Sequence, residues 1–217
     1  MPEFHKTNDM MFPPVEELQT VWIGDRRLHV FVPDAARVRA AWNEGERRGG
    51  DAFPYWSKIW PASLALCQWL NEHPSLYAGK KLLEMGAGLG LPSLFVAPGA
   101  EWVLCTDKDQ EALVYARASA IHNRYHNMVC RQVNWMEFRE LVACDLLLMS
   151  DVNYEPSVFE GLRRTIEAYF AQGTEIVLST PQRLAAREFV SWLEPYVRSV
   201  AVEEAGGQPV SVFHLSG

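Results

Sequence analysis

"LLEMGAGLGLPS", residues 82–93, decides how this chain is read. An apolar pair leads into a carboxylate, Glu84, and the chain then breaks into glycines at Gly86, Gly88 and Gly90. Leu91 and Pro92 follow, and a proline at this point suits the first turn of a helix. Alternating glycines mean that the backbone turns tightly or that something approaches it closely. A dinucleotide-binding turn carries GxGxxG, its third glycine placed for close packing of helix on strand. Here that third position is Leu91. The pattern is GxGxG after an acid, and a carboxylate there sits poorly beside a pyrophosphate and well beside an amine. The ligand expected is a nucleoside that carries an amino acid, S-adenosyl-L-methionine, with the helix N-terminus available for its carboxylate.

Outward from this stretch the pattern alternates. Strands are predicted at 81–86, 101–107, 127–134, 145–151 and 174–181, with helical stretches between most of them and Gly173 ending one helix. Such a rhythm implies a parallel sheet with helices on both faces. The end differs: 197–217 reads strand, Gly-Gly turn, strand, so the last strand runs antiparallel to the one before it. Upstream, 62–73 has helical spacing behind Pro61, and 20–33 reads as a hairpin about Gly24-Asp25. Residues 35–50 start helical and end in a charged, glycine-rich loop, and residues 1–16 read as a loose arm. The expected organisation is an N-terminal extension with a hairpin over 1–55 and one α/β domain over 56–217. That domain is a Rossmann-like, doubly wound sheet of seven strands, the last antiparallel.

The 217 residues are 48% hydrophobic and 22% charged, enough for a packed core without disulfides or a structural metal. A net charge of −7 argues against a general nucleic-acid binder and suits a basic partner, such as a lysine-bearing protein. Cys67, Cys105, Cys130 and Cys144 match no metal or redox spacing and read as buried free thiols. With no export signal and no membrane-spanning run, the cytoplasm is expected. His122 and His126 lie one helical turn apart with no further ligand evident, so they read as a solvated helix face and no metal is expected.

The candidate site residues fall at carboxyl ends of predicted strands, where ligands bind in open α/β sheets. Asp107 ends the second strand, 21 residues after Gly86, where an acid can accept from two ribose hydroxyls. Asn134 and Trp135 end the third and offer an amide and an aromatic face to adenine. Ser150 and Asp151 end the fourth, beside the place of the transferring methyl. Plainer readings stand beside these: Asp107 and Asp151 as helix caps, Trp60 and Trp135 as core, Arg183 as a solvated charge.

These residues resemble the class I, seven-strand methyltransferases that use S-adenosylmethionine, over residues 60–217. "EMGAGLG" is similar to that family's acid-x-Gly-x-Gly-x-Gly motif. "KIWPASLALCQWL" and "SDVNYEP" are similar to elements of its protein lysine methyltransferase branch, and Asp151 and Tyr154 match the branch's acid-x-x-Tyr mark. The resemblance implies an enzyme that methylates a lysine of a protein substrate. Glu84, Gly86, Gly88, Gly90, Asp107, Asn134, Trp135, Ser150 and Trp60 would hold the cofactor. Asp151 would orient the acceptor amine beside Tyr154. Asn134 departs from the pattern, since many members carry an acid there, and residues 1–55, where substrate choice could lie, match no known element. A small-molecule N- or O-methyltransferase of the nicotinamide type and a catalytically silent cofactor-binding partner protein are the alternatives.

Overall fold

The computed structural model describes residues 16–47, 53–135 and 141–217. The arm expected at 1–16 lies, Glu16 apart, outside them, as do residues 48–50 of the expected charged loop. Strands β1 (Glu16–Ile23) and β2 (Arg26–Pro33) form a two-residue-turn hairpin, and α1 (Ala35–Arg47) follows. Then come α2 (Pro61–Glu72), β3 (Lys81–Met85), α3 (Leu91–Val96), β4 (Trp102–Asp107), α4 (Gln110–His122) and β5 (Met128–Gln132). The chain ends with β6 (Leu146–Ser150), α5 (Phe159–Phe170), β7 (Glu175–Pro181), α6 (Arg187–Leu193), β8 (Val197–Ala205) and β9 (Gln208–Leu215). Short 3-10 turns at 184–186 and 194–196 flank α6, the second containing Pro195, whose ring has no N–H to continue a helix.

The large sheet has the order β5-β4-β3-β6-β7-β9-β8. Of these strands β9 runs against the other six, inserted between β7 and β8. The order reverses between β3 and β6, which pair in parallel from Leu82↔Leu146 to Met85↔Met149. A crevice opens at such a reversal because the connections leave β3 and β6 in opposite directions.

Strand alternation sends Leu82 to one face and Leu83 and Met85 to the other. The first face packs on α2, α3 and α4 through residues such as Leu66, Leu94 and Ala116, and the second on α5 and α6 through Leu162, Ile166 and Phe189. The hairpin is built into the first core by Ile23, Leu28, Val30 and Val32. Polar contacts hold it as well. Phe31 N donates to Ser119 Oγ at 2.9 Å, and the Asn123 amide both accepts from His29 N (3.1 Å) and donates to His29 O (2.6 Å). Ser119 and Asn123 stand one turn apart on α4, so they meet successive exposed groups of β2. His122 is exposed, yet it packs edge-on against His29 at 5.2 Å, so that helix face is partly covered by the hairpin. Among the described residues no helix is long and apolar enough to cross a membrane.

Candidate active site

A cavity of about 370 Å³ sits over the carboxyl ends of β3, β4 and β6, within the usual size of small-molecule sites. Gly86 and Gly88 form its floor, both with left-handed backbone (φ 65° and 54°). A side chain at Gly86 would strike Val152 Cγ1 at 2.8 Å, so this glycine lets the loop after β6 close over the turn. Gly88 meets the Trp56 backbone at ordinary contact distance. Gly90, also left-handed at φ 72°, lies outside the lining; its missing side chain makes room for Cys105 and Ala116 at 3.1 Å. The close approach of α3 and α4 to the sheet at this point depends on it.

Glu84 departs from its expected place. It is fully buried and lies outside the cavity lining. Its Oε2 accepts from Ser93 N at 2.9 Å and Ser93 Oγ at 2.5 Å, fastening the first turn of α3. Oε1 has no partner among the described residues, and burial pushes the carboxyl up to about 8. Alternation explains the displacement: a side chain at 84 points into the α3 face of the sheet, whereas the cavity lies beyond the strand end. Glu84 thus ties the strand end to the start of α3 beneath the glycine turn.

Asp107 lines the cavity at the end of β4. One carboxylate oxygen takes Gly88 N at 2.8 Å and the other Asp109 N at 2.9 Å. The carboxylate is thereby fixed to the glycine turn, and each oxygen keeps a lone pair for a ligand hydroxyl. Burial raises its pKa, with the two backbone N–H bonds opposing. It is not the cap residue of α4, which is Asp109. Asn134 and Trp135 border the cavity just past β5.

Ser150 and Asp151 line it at the end of β6, and Arg183 reaches in from the end of β7. Arg183 was expected to be solvated, but it grips Asp151 with two parallel bonds, Nη1–Oδ1 at 2.7 Å and Nη2–Oδ2 at 2.9 Å. Pairing of Ser150 with Ser179 in the β6–β7 register brings the two loops together. Asp151 has φ 53°, a backbone that aspartate tolerates better than most residues. Burial raises its pKa, opposed by the Arg183 bonds and charge. It caps no helix, since α5 begins only after Val158.

The remaining wall is aromatic. Tyr55 packs on Tyr154 (5.5 Å between ring centroids) and on Trp60 (6.1 Å), and all three line the cavity. Trp60 precedes α2: its carbonyl accepts from Ser63 N and Oγ, and its indole N–H donates to Tyr55 O at 2.5 Å. The backbone is thus held by Ser63 and the ring by Tyr55.

The sequence model described as "Lysine methyltransferase" matches residues 54–195, from the aromatic wall through α6. The chain belongs to the lysine methyltransferase family. Curated relatives include an electron transfer flavoprotein beta subunit lysine methyltransferase of Danio rerio, 29% identical over 60% of this chain and 51% of that protein. Another is a histone-arginine methyltransferase of Xenopus laevis, 31% identical over 52% of this chain and 50% of that one. The chain spans about half the length of the curated relatives it matches. Solved structures agree in fold. A Thermus thermophilus 16S rRNA methyltransferase with AdoMet and guanosine has a TM-score of 0.62 at 15% identity, covering 94% of this chain and 52% of that one. The N-methyltransferase NodS of Bradyrhizobium japonicum, with S-adenosyl-L-homocysteine, has a TM-score of 0.58 at 17% identity, covering 81% and 98%.

For this lysine methyltransferase family member, Tyr55, Trp56, Lys58, Ser63, Lys108, Asp109 and Arg183 are cavity residues that the sequence reading did not place there. "PYWSKIWP" at 54–61 holds a usable signal, an aromatic-rich run directly before a helix start in which Tyr55, Trp56 and Lys58 accompany Trp60.

Proposed function

We propose that this chain binds S-adenosyl-L-methionine and transfers its methyl group to a lysine side chain of a protein. The reading is carried by the division of one cavity into two unlike ends. At one end lie Gly86, Gly88 and a carboxylate, Asp107, held with both oxygens facing an adjacent turn. At the other lie Tyr55, Trp60 and Tyr154 beside Asp151. The first end fits a nucleoside: a side-chain-free backbone, ribose acceptors, and Trp135 for a base face. The second fits a methyl donor's positive sulfur and an amine, since aromatic faces attract both a sulfonium and an ammonium. The cofactor, when bound, supplies the methyl group. The chain's own residues align the amine with it and exclude water.

Lysine is the acceptor we infer, on the matching lysine methyltransferase family model and on the aromatic lining. Aromatic walls suit a compact ammonium. We place the protein in the cytoplasm with a protein partner and no nucleic acid, on its free cysteines and net charge of −7. Calorimetry tests the cofactor half. S-adenosylhomocysteine should bind and NAD should not, and Gly88→Val, which puts a branched side chain on a left-handed backbone, should abolish binding. Binding of NAD alone would overturn the reading.

A further inference from the structure

An amine of the chain itself stands at the aromatic end of the cavity. Lys58 lines the cavity, and its Nζ stands 3.8 Å from the centroid of the Trp60 ring. The contact follows from local geometry. Lys58 has extended backbone (φ −144°, ψ 162°), and so has Trp60 (φ −91°, ψ 149°). In extended chain, residues two apart share a side, so both side chains project together. Trp60 is held by Ser63 and by the Tyr55 carbonyl, and Tyr55 packs on Tyr154, three residues from Asp151. No carboxylate among the described residues forms an ion pair with Lys58, so the ring is the partner that holds it. The other lining lysine, Lys108, follows Asp107 at the end of β4, and no cation–π contact joins it to these rings among the described residues.

We propose that Lys58 is itself a methyl acceptor, a self-modification site in which the chain's own lysine enters the place of the substrate amine. This rests on the function proposed above and names a first substrate for it. The step balances without a further reagent. The ammonium gives a proton to solvent, and the nitrogen lone pair attacks the methyl carbon of S-adenosylmethionine. The N–C bond forms as the S–C bond breaks, the electron pair stays on sulfur, and S-adenosylhomocysteine leaves. A methylated ammonium keeps its charge and its attraction to Trp60, so the product remains compatible with the same ring.

Two readouts on the whole chain test it. In the first, the protein is acetylated with an N-hydroxysuccinimide ester with and without S-adenosylhomocysteine. The ligand should slow acetylation of Lys58 several-fold and leave exposed Lys81 unaffected. In the second, the protein is incubated with S-adenosylmethionine and no other substrate, then mapped by mass spectrometry. Methylation should appear at Lys58, vanish in Lys58→Met, and keep its half-time when the enzyme is diluted, as an intrachain reaction must. Label at other lysines only, no label, a half-time that lengthens on dilution, or no change in the Lys58 footprint would each overturn the proposal. Calorimetry on the same sample separates the two readings. Ligand binding with an unmodified Lys58 sinks the self-modification alone, whereas no ligand binding sinks the cofactor reading and this inference with it.

Discussion

Asp107 ties the glycine turn to β4 through Gly88 N and lines the cavity, where we propose that it also accepts from the ribose hydroxyls. Asp107→Ala should weaken S-adenosylhomocysteine binding by about 2–4 kcal/mol, from two charge-assisted bonds of roughly 1.5–3 kcal/mol each less recovery by water. Because burial raises the Asp107 pKa above 3.8, affinity should start to fall at a pH above that value as the solution is acidified. Titration of the dissociation constant against pH checks both, and an acid limb that survives in Asp107→Ala would assign it to another group.

The Asp151–Arg183 pair gives a second prediction at this scale. If Asp151 orients the acceptor amine, Asp151→Asn should keep cofactor affinity within a few fold while turnover drops about 10²-fold or more. Asparagine tolerates the left-handed backbone at this position, so the variant should fold. Near wild-type turnover on a confirmed substrate, with melting temperature measured alongside, would make the pair a loop clasp only. Glu84 gives a third. Its folded-state pKa of about 8 stands above the ordinary 4.5, so the folded protein holds an extra proton between those values. The resulting stability is complete below pH 4.5 and is lost as pH rises through about 8. Denaturation at about pH 6 and about pH 9 should show wild type losing stability and Glu84→Gln losing much less. Equal losses would contradict the burial argument.

At the scale of elements, the strands were legible because their side chains obey short rules. "DLLLMSD" holds four consecutive apolar residues, 146–149, which form most of β6 and are covered on both faces. Glycines and prolines marked most ends to within a few residues, and the hairpin turn fell at Gly24-Asp25 as expected. Three features were hidden because they depend on residues far apart in the chain. Arg183 lies 32 residues from Asp151 and meets it only because β6 and β7 are neighbours. The placing of β9 between β7 and β8 leaves no local trace, since the hairpin pattern alone fixes only that β8 and β9 are antiparallel. The direction of Glu84 depends on which sheet face α3 covers. The hairpin's attachment is equally nonlocal and yields a prediction. Asn123→Ala removes both of its bonds to the His29 backbone and should cost about 1–3 kcal/mol in a urea melt, by leaving β2 groups unsatisfied. A change near zero would mean that the apolar packing of Leu28 and Val30 holds the hairpin unaided.

Over the whole molecule, a sheet that reverses order at β3 and β6 gathers residues from five strand ends around one cavity. One part of that cavity, proposed for the nucleoside, is lined by segments adjoining β3, β4 and β5, and the other, proposed for the acceptor, by the loops after β6 and β7 and the aromatic run before α2. The N-terminal portion reaches the same place through packed rings: Trp42 of α1 meets Phe53 at 5.4 Å, and Phe53 meets Tyr55 at 5.5 Å. The central claim is that this assembly methylates lysine in proteins. It is tested most directly by incubating the purified chain with tritiated-methyl S-adenosylmethionine and a cell extract, then hydrolysing the precipitated protein and separating its amino acids. The account predicts label in methyllysine, greatly reduced with Asp151→Asn. Label in methylarginine, label confined to the small-molecule fraction, or no label above an enzyme-free control would contradict it.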